Sequence, residues 1–419
     1  MDMWRNKRAR SLMALLVVLA AGSWACAQAA NTCLDCHSAM DPPFQVTADQ
    51  FAQDIHAQKG LTCASCHGGD PTKADESAMS KAGFRGKIER KDVPALCGHC
   101  HSDAAYIRQY DPSLRTDQYS QYLTSMHGKL RAKGDDKVAV CTDCHSVHDI
   151  RPPNDPRSKV YPVNIAQTCA HCHADAAYMK GYSIPTDQFA SYNASVHHDA
   201  LAVRGDLSAP TCTTCHGDHG AAPPGVGTVQ NVCSTCHVFQ AQLFASSPHK
   251  VAFDAASLPG CVTCHSNHRI VHPTDALLGT GPQSVCITCH SPGDDGYKSA
   301  DQIHAELQRL DAAVKSSDQI LERARNAGME VSDALSEQDQ ARDSLTKARV
   351  TIHSLNPAQV NENISAGTKV TEKTHEAGAA ALAERDYRRK GLGLSLIAIF
   401  AVVIGLRFHL REIEAREKS

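Results

Sequence analysis

Cysteine pairs three residues apart, each followed at once by a histidine, recur nine times in this 419-residue chain. The frames are Cys33, Cys36 and His37; Cys63, Cys66 and His67; Cys97, Cys100 and His101; Cys141, Cys144 and His145; Cys169, Cys172 and His173; Cys212, Cys215 and His216; Cys233, Cys236 and His237; Cys261, Cys264 and His265; and Cys286, Cys289 and His290. A single such frame would serve as half of a zinc site or as a redox dithiol. An even cysteine count in an exported chain also suits a disulfide framework. None of these chemistries needs an imidazole directly behind every thiol pair, and all nine pairs have one. Cys-x-x-Cys-His is the attachment sequence of c-type haem. On a helical turn, residues i, i+3 and i+4 share a face. Two thiols can then add to the vinyl groups of one porphyrin while the histidine takes the iron as its proximal ligand. The expectation is nine covalently attached haems c between residues 33 and 290, packed closely enough that neighbouring rings approach one another.

The frames come in pairs. CGHCHSDAAY (97–106) matches CAHCHADAAY (169–178), and TDQYSQYLTSMH (116–127) matches TDQFASYNASVH (186–197). Each is followed by a second frame with a trailing histidine, CTDCHSVH (141–148) and CTTCHGDH (212–219). A further copy runs from Cys233 to CVTCHSNH (261–268), and a first from Cys33 to CASCHGGD (63–70), leaving a closing frame at Cys286. Self-similarity of this kind marks a repeated supersecondary unit, here four two-frame modules. The repeat nominates distal iron ligands: His56, His127, His197 and His249 upstream of each second frame, and His148, His219 and His268 three residues beyond a frame histidine. His272 and His304 complete nine candidates without support from the repeat, and His99 and His171 are spacers inside frames. The first module departs from the pattern, with Asp70 where the others have a histidine and Met40 after its first frame. Met40 reads as packing, with a distant histidine on that iron.

The elements that hold these frames are short helical turns in irregular loop. Only 5% of residues are aromatic, with two tryptophans. That is little for a core of this size, and porphyrin faces would supply the missing flat apolar surface. A net charge of −3 gives no reason to expect nucleic acid. After His290 the cysteines stop. Ile303, Leu307, Leu310, Val314, Ser317 and Leu321 follow a helical stripe, and Val331, Leu335, Leu345, Ala348, Ile352 and Leu355 a second. Asn356-Pro357 reads as a cap followed by proline at the first helical position of a third helix through Val360, Ile364 and Val370. The stripes predict an antiparallel hairpin or three-helix bundle. His353 and His375 are within reach of a haem but are assigned to the surface. An apolar run from Gly391 to Leu406, bracketed by Arg388, Arg389 and Lys390 before it and Arg407 and Arg411 after it and extended by Phe408-His409-Leu410, predicts a transmembrane helix over 391–410. Arg5, Lys7, Arg8 and Arg10 precede the apolar run from Leu12 to Gly22, and Ala27-Gln28-Ala29 offers a cleavage site. Cys26, the cysteine outside the frames, falls in this export signal. The predicted organisation is a signal peptide (1–29), a haem domain (30–297), a helical hairpin or bundle (298–390), a membrane span (391–410) and a cytoplasmic tail (411–419). The fold class is mainly α with much irregular loop.

The paired frames ending in CxxCHxxH resemble the class III cytochromes c and their nine-haem relatives. The membrane tether is similar to that of the quinol-dehydrogenase cytochromes of nitrate and nitrite respiration, although those carry it at the N-terminus. The resemblance covers residues 33–290 and implies bis-histidine, low-spin, low-potential haems that pass electrons between redox partners. The expected function is an extracytoplasmic relay on the cytoplasmic membrane. It would run between a quinol-oxidising membrane partner, a b-type cytochrome or iron–sulfur subunit, and periplasmic cytochromes or reductases, with no nucleic-acid partner. The alternative is a multihaem reductase for nitrite, hydroxylamine or a sulfur oxyanion with one open iron. Every frame ends in histidine, so the lysine variant of the nitrite reductases is absent.

Overall fold

The computed structural model describes residues 31–417 apart from 81, 224 and 228. The proposed signal peptide and Cys26 lie outside the described residues. The protein is mostly helical, with no strand among the described residues and long irregular connections. It divides into two compact units, one ending at Val229 and one beginning at Gln230.

In the first unit the helices are short, and those that carry the frames do little more than build them. Cys33–His37, Cys63–His67, Cys141–His145 and Cys212–His216 are single helical turns, while Val93–His101 and Pro162–His173 end on their frames. The residue before the second cysteine helps start three of these turns. Ser65, Asp143 and Thr214 accept backbone hydrogen bonds from Thr62, Val140 and Thr211 at 3.1, 2.7 and 3.1 Å, satisfying N–H groups that the first turn leaves free. First and second frames of a module end differently. After His37, His101 and His173 the next residue stays in the right-handed region. After the second-frame histidines of the four modules, Gly68, Ser146, Gly217 and Ser266 have φ of 72°, 73°, 82° and 64°. The reversal turns the chain back over the frame. At Gly68 it also demands glycine, since a Cβ would meet the Gly83 carbonyl oxygen at 2.1 Å.

The second unit carries the fourth module, the closing frame and three long helices, α1 (Asp295–Asn326), α2 (Ser332–Thr351) and α3 (Pro357–Glu417). Gly328, at φ 77°, follows α1, and the Asn356 side chain accepts from Ala358 N at 3.0 Å to start α3. Both contiguous apolar clusters among the described residues lie in this bundle. One gathers Leu307, Leu310, Val314, Leu345, Val360 and Ile364 and the other Leu321, Ala324, Val331 and Ala334. A buried polar layer joins the three helices. Gln338 donates to the Val314 carbonyl (3.1 Å) and Asp318 (2.8 Å), and Thr374 donates to Gln338 (2.6 Å) and lies 2.7 Å from Ser317. Such a layer matches one helix register and no other. The frames of this unit pack on the bundle. Helix Val238–Ala245 touches the turn Ile352–Ser354, and Arg349 clamps Asp275 with two bonds at 2.9 and 2.7 Å. The boundary between units accordingly falls inside the frame region and not after it.

Helix α3 continues from the bundle into the apolar stretch without a break. Leu394, Ile397, Phe400, Val403 and Ile404 on that stretch are all exposed. Residues 391–410 span about 30 Å at 1.5 Å per residue, the thickness of a bilayer core. The helix is long and apolar enough to cross a membrane, and is consistent with an anchor.

Candidate functional site

At least six frame histidines among the described residues each face a second imidazole. In the first unit the pairs are His101 with His56, His67 with His148, His173 with His127 and His145 with His219, with ring centroids 6.1, 6.1, 6.0 and 6.0 Å apart. In the second unit they are His290 with His249 at 5.8 Å and His265 with His353 at 6.0 Å. Ring stacking does not set this spacing, because the interplanar angles run from 3° to 88°. A metal–imidazole bond of about 2 Å, with the ring centre about 1 Å further on, puts two axial imidazoles about 6 Å apart across one iron. The residues therefore fit an iron held between each pair.

The electrostatics fit as well. Burial, then the facing imidazole, holds His127, His148, His249 and His265 below the usual histidine range, and takes His145 down to about 4. Neutral imidazole keeps the lone pair that a metal needs. Backbone carbonyls select the tautomer. Nδ1 of His37, His67 and His353 donates to Phe44, Gly86 and Val350 at 2.9, 2.7 and 2.8 Å, leaving Nε2 as the free ligand atom. His249 Nδ1 is buried with no hydrogen-bond partner, as a ring nitrogen awaiting another ligand would be.

The pairing follows a rule in the first unit. A first-frame histidine faces the upstream histidine of the module before it, as in His101 with His56 and His173 with His127. A second-frame histidine faces the trailing histidine of the module after it, as in His67 with His148 and His145 with His219. The closing-frame pair, His290 with His249, obeys the first clause. His197, His216, His237 and His268 have interactions of their own. His272 Nδ1 donates to the Pro273 carbonyl at 3.0 Å, and His304 lies 3.0 Å from Gln308 and against Gly279. His353, assigned to the surface from sequence, is what the structure sets opposite His265. No repeat flags it, since it stands alone at the end of α2. The available signal is the rule itself, which leaves the last second-frame histidine of the repeat to be met from outside the modules. Among the described residues, the His37 ring faces no imidazole.

The thiols add a second regularity. In every module the first cysteines of the two frames lie against each other. Cys97 is pushed up by its hydrogen bond to Cys141, Cys169 by Cys212 and Cys233 by Cys261, while burial and then Cys63 raise Cys33. Burial raises the second cysteines Cys66, Cys144 and Cys264, with smaller contributions from the next frame: Cys100 on Cys66, Cys172 on Cys144, and Cys286 and Cys289 on Cys264. The two frames of a module thus lie together, with Val93–His101 against Cys141–His145 and Pro162–His173 against Cys212–His216. Repeated tyrosines help set this arrangement. Tyr122 and Tyr192 donate to the Ala139 and Pro210 carbonyls at 2.9 and 3.0 Å, each two residues ahead of a second frame.

Residues 55–174 match the family model described as cytochrome c3. The C-type polyheme cytochrome OmcC of Geobacter sulfurreducens is 25% identical over 120 residues, 28% of this chain and 14% of that protein. The match thus spans about a seventh of the relative's length. No solved structure matches. Together these matches support a multihaem c-type cytochrome with covalently bound haem.

Proposed function

We propose that the chain is a nonahaem c-type cytochrome, anchored by α3 in the cytoplasmic membrane with its frames on the extracytoplasmic side. It would relay electrons between a membrane quinol-oxidising partner, a b-type cytochrome or iron–sulfur subunit, and periplasmic or outer cytochromes and reductases. The carrying observation is the set of six facing imidazole pairs. A site closed on both axial sides exchanges electrons but admits no substrate. Bound haem supplies a one-electron iron couple at each frame. The cysteines would hold each haem in place, and the closeness of the two frames of a module would give electrons a short step from one to the other. His67 and His353 would bind through Nε2 while backbone carbonyls hold the proton on Nδ1. No side chain in this scheme performs acid–base chemistry on a substrate.

The test is the holoprotein itself. Its intact mass is expected to carry nine haems that acidified organic solvent does not extract, and its oxidised electron paramagnetic resonance spectrum at least six low-spin signals. Extractable pigment, or high-spin iron at most sites, overturns the reading. One observation favours a second reading, a reductase centred on the Cys33–His37 frame: His37 faces no imidazole among the described residues. A stoichiometric high-spin signal that shifts with nitrite or hydroxylamine would select it.

A further inference from the structure

We infer that Asp54 is a positioning residue that sets the reduction potential of one haem, that of the Cys97–His101 frame, and braces the distal ligand of its neighbour. The inference rests on the relay reading above.

Asp54 is 3% exposed. Its Oδ1 accepts from His56 N at 2.8 Å and lies 2.9 Å from His56 Nδ1, while Oδ2 accepts from Ile150 N at 2.9 Å. His56 is the imidazole facing His101, and Ile150 follows two residues after His148, the imidazole facing His67. Ile55 N also donates to the Ile150 carbonyl at 2.7 Å, so the two segments are pinned together. One buried carboxylate therefore holds two distal ligands from different modules.

The repeat supplies the comparison. Two residues ahead of His127, His197 and His249 stand Ser125, Ser195 and Ser247, each buried at the start of the ligand helix. Ser125 and Ser195 accept from backbone N–H groups at 3.0 and 3.2 Å, and Ser247 donates to the Phe244 carbonyl at 2.7 Å. All four stand at the N-cap position of the ligand helix, but only the aspartate carries charge and is seen to bond its histidine ring. Two other carboxylates approach imidazoles, Asp218 at 3.4 Å from His219 and Asp294 at 3.3 Å from His290. Both are longer contacts and open to solvent, which screens them. The Asp54 contact is shorter and its carboxylate is buried, where charge acts more strongly.

A carboxylate on Nδ1–H draws that proton towards itself and makes the opposite nitrogen a stronger donor. A stronger donor beside a buried negative charge favours ferric over ferrous iron, so the Cys97 haem is held more reducing than its serine-capped counterparts. Taking up one electron there turns Fe(III) to Fe(II). The proton stays on Nδ1, no bond forms or breaks, and the electron comes from a one-electron reductant.

The experiment is a spectroelectrochemical titration of the full-length holoprotein carrying Asp54→Asn, with Asp54→Ser and Ser125→Asp beside it. In Asp54→Asn, one of the nine one-electron waves is expected to move positive by at least the tenfold change in preference that equals 59 mV, with the others in place and nine haems retained. Asp54→Ser gives the same wave shift while keeping the cap used by the other modules. Ser125→Asp, which installs the carboxylate beside His127, moves a different wave negative, a result that a purely structural role does not produce. If Asp54→Asn keeps nine haems with every wave unmoved, the inference fails and Asp54 is a cap alone. If that variant loses a haem, Ser125→Asp decides, and an unmoved wave there overturns it. Wild-type protein without low-spin haem would instead sink the relay reading, a separate outcome visible before any variant is made.

Discussion

His353 offers the sharpest perturbation, because it comes from the helical bundle and not from a module. Its ring centroid lies 6.0 Å from that of His265 with the planes 22° apart, and its Nδ1 donates to Val350 O at 2.8 Å. Replacing it with alanine removes one hydrogen bond, about 1 kcal/mol, and part of a half-buried ring. The bundle core of Leu307, Leu310, Val314 and Leu345 is a separate cluster and stays filled. The expected stability loss is therefore only about 1–2 kcal/mol, a few degrees in melting temperature. The spectroscopic effect is far larger in proportion. One haem in nine loses its second axial ligand, so a high-spin signal of one equivalent appears with full haem content. His353→Met is expected instead to keep that site low-spin and move one wave positive, since methionine ligation raises haem potentials. Electron paramagnetic resonance and redox titration of purified holoprotein read both. His304→Ala and His272→Ala serve as controls and leave the spectrum unchanged. A His353→Ala protein with no new high-spin signal, or a control that produces one, refutes the assignment.

Ring angle gives a second prediction: near-perpendicular imidazoles leave two iron d orbitals almost degenerate. The His56–His101 pair at 88° should then give a highly anisotropic low-spin signal and the His145–His219 pair at 3° a rhombic one, each lost with its distal histidine. Ending the chain before Gly391 removes the exposed apolar end of α3, and should move the protein from the carbonate-washed membrane fraction to the soluble one with haem content intact. Gly68→Ala places a Cβ 2.1 Å from the Gly83 carbonyl oxygen at φ 72°, and is expected to cost one haem by intact mass. Ser146→Gly, at the equivalent left-handed position, is expected to cost none. Gln338→Leu leaves buried partners on α1 and α3 unsatisfied, and should lower bundle stability by about 2–3 kcal/mol in urea titration without changing haem content.

Parts of the helical region were readable and parts were not. Ile303, Leu307, Leu310, Val314, Ser317 and Leu321 lie on the buried face of α1, where hydropathy and periodicity agree. On α2 the buried stripe is Ala334, Gln338, Ala341, Leu345 and Ala348, and on α3 it includes Gly367, Thr371, Thr374 and Gly378. Small and polar residues hide from a hydropathy reading. They are buried because the helices approach closely, with a Cβ on Gly367 only 3.0 Å from Leu310, and because Gln338 and Thr374 satisfy one another across the seam.

Covalent attachment is a local event. Two thiols and an imidazole within five residues of one helical turn declare it, and no distant segment changes what that turn is built to hold. The opposite axial position is different in kind. The imidazole that would take it faces the frame from another module or, for His265, from the bundle. The repeat could nominate His56, His127, His148, His219 and His249, but not say which frame each meets, and it had no copy from which to nominate His353. Composition and spacing thus determined which residues are proposed to bear the haems. Only packing decided which imidazole faces which, because a spacing of about 6 Å between rings is set by how modules fold against one another and not by their order along the chain.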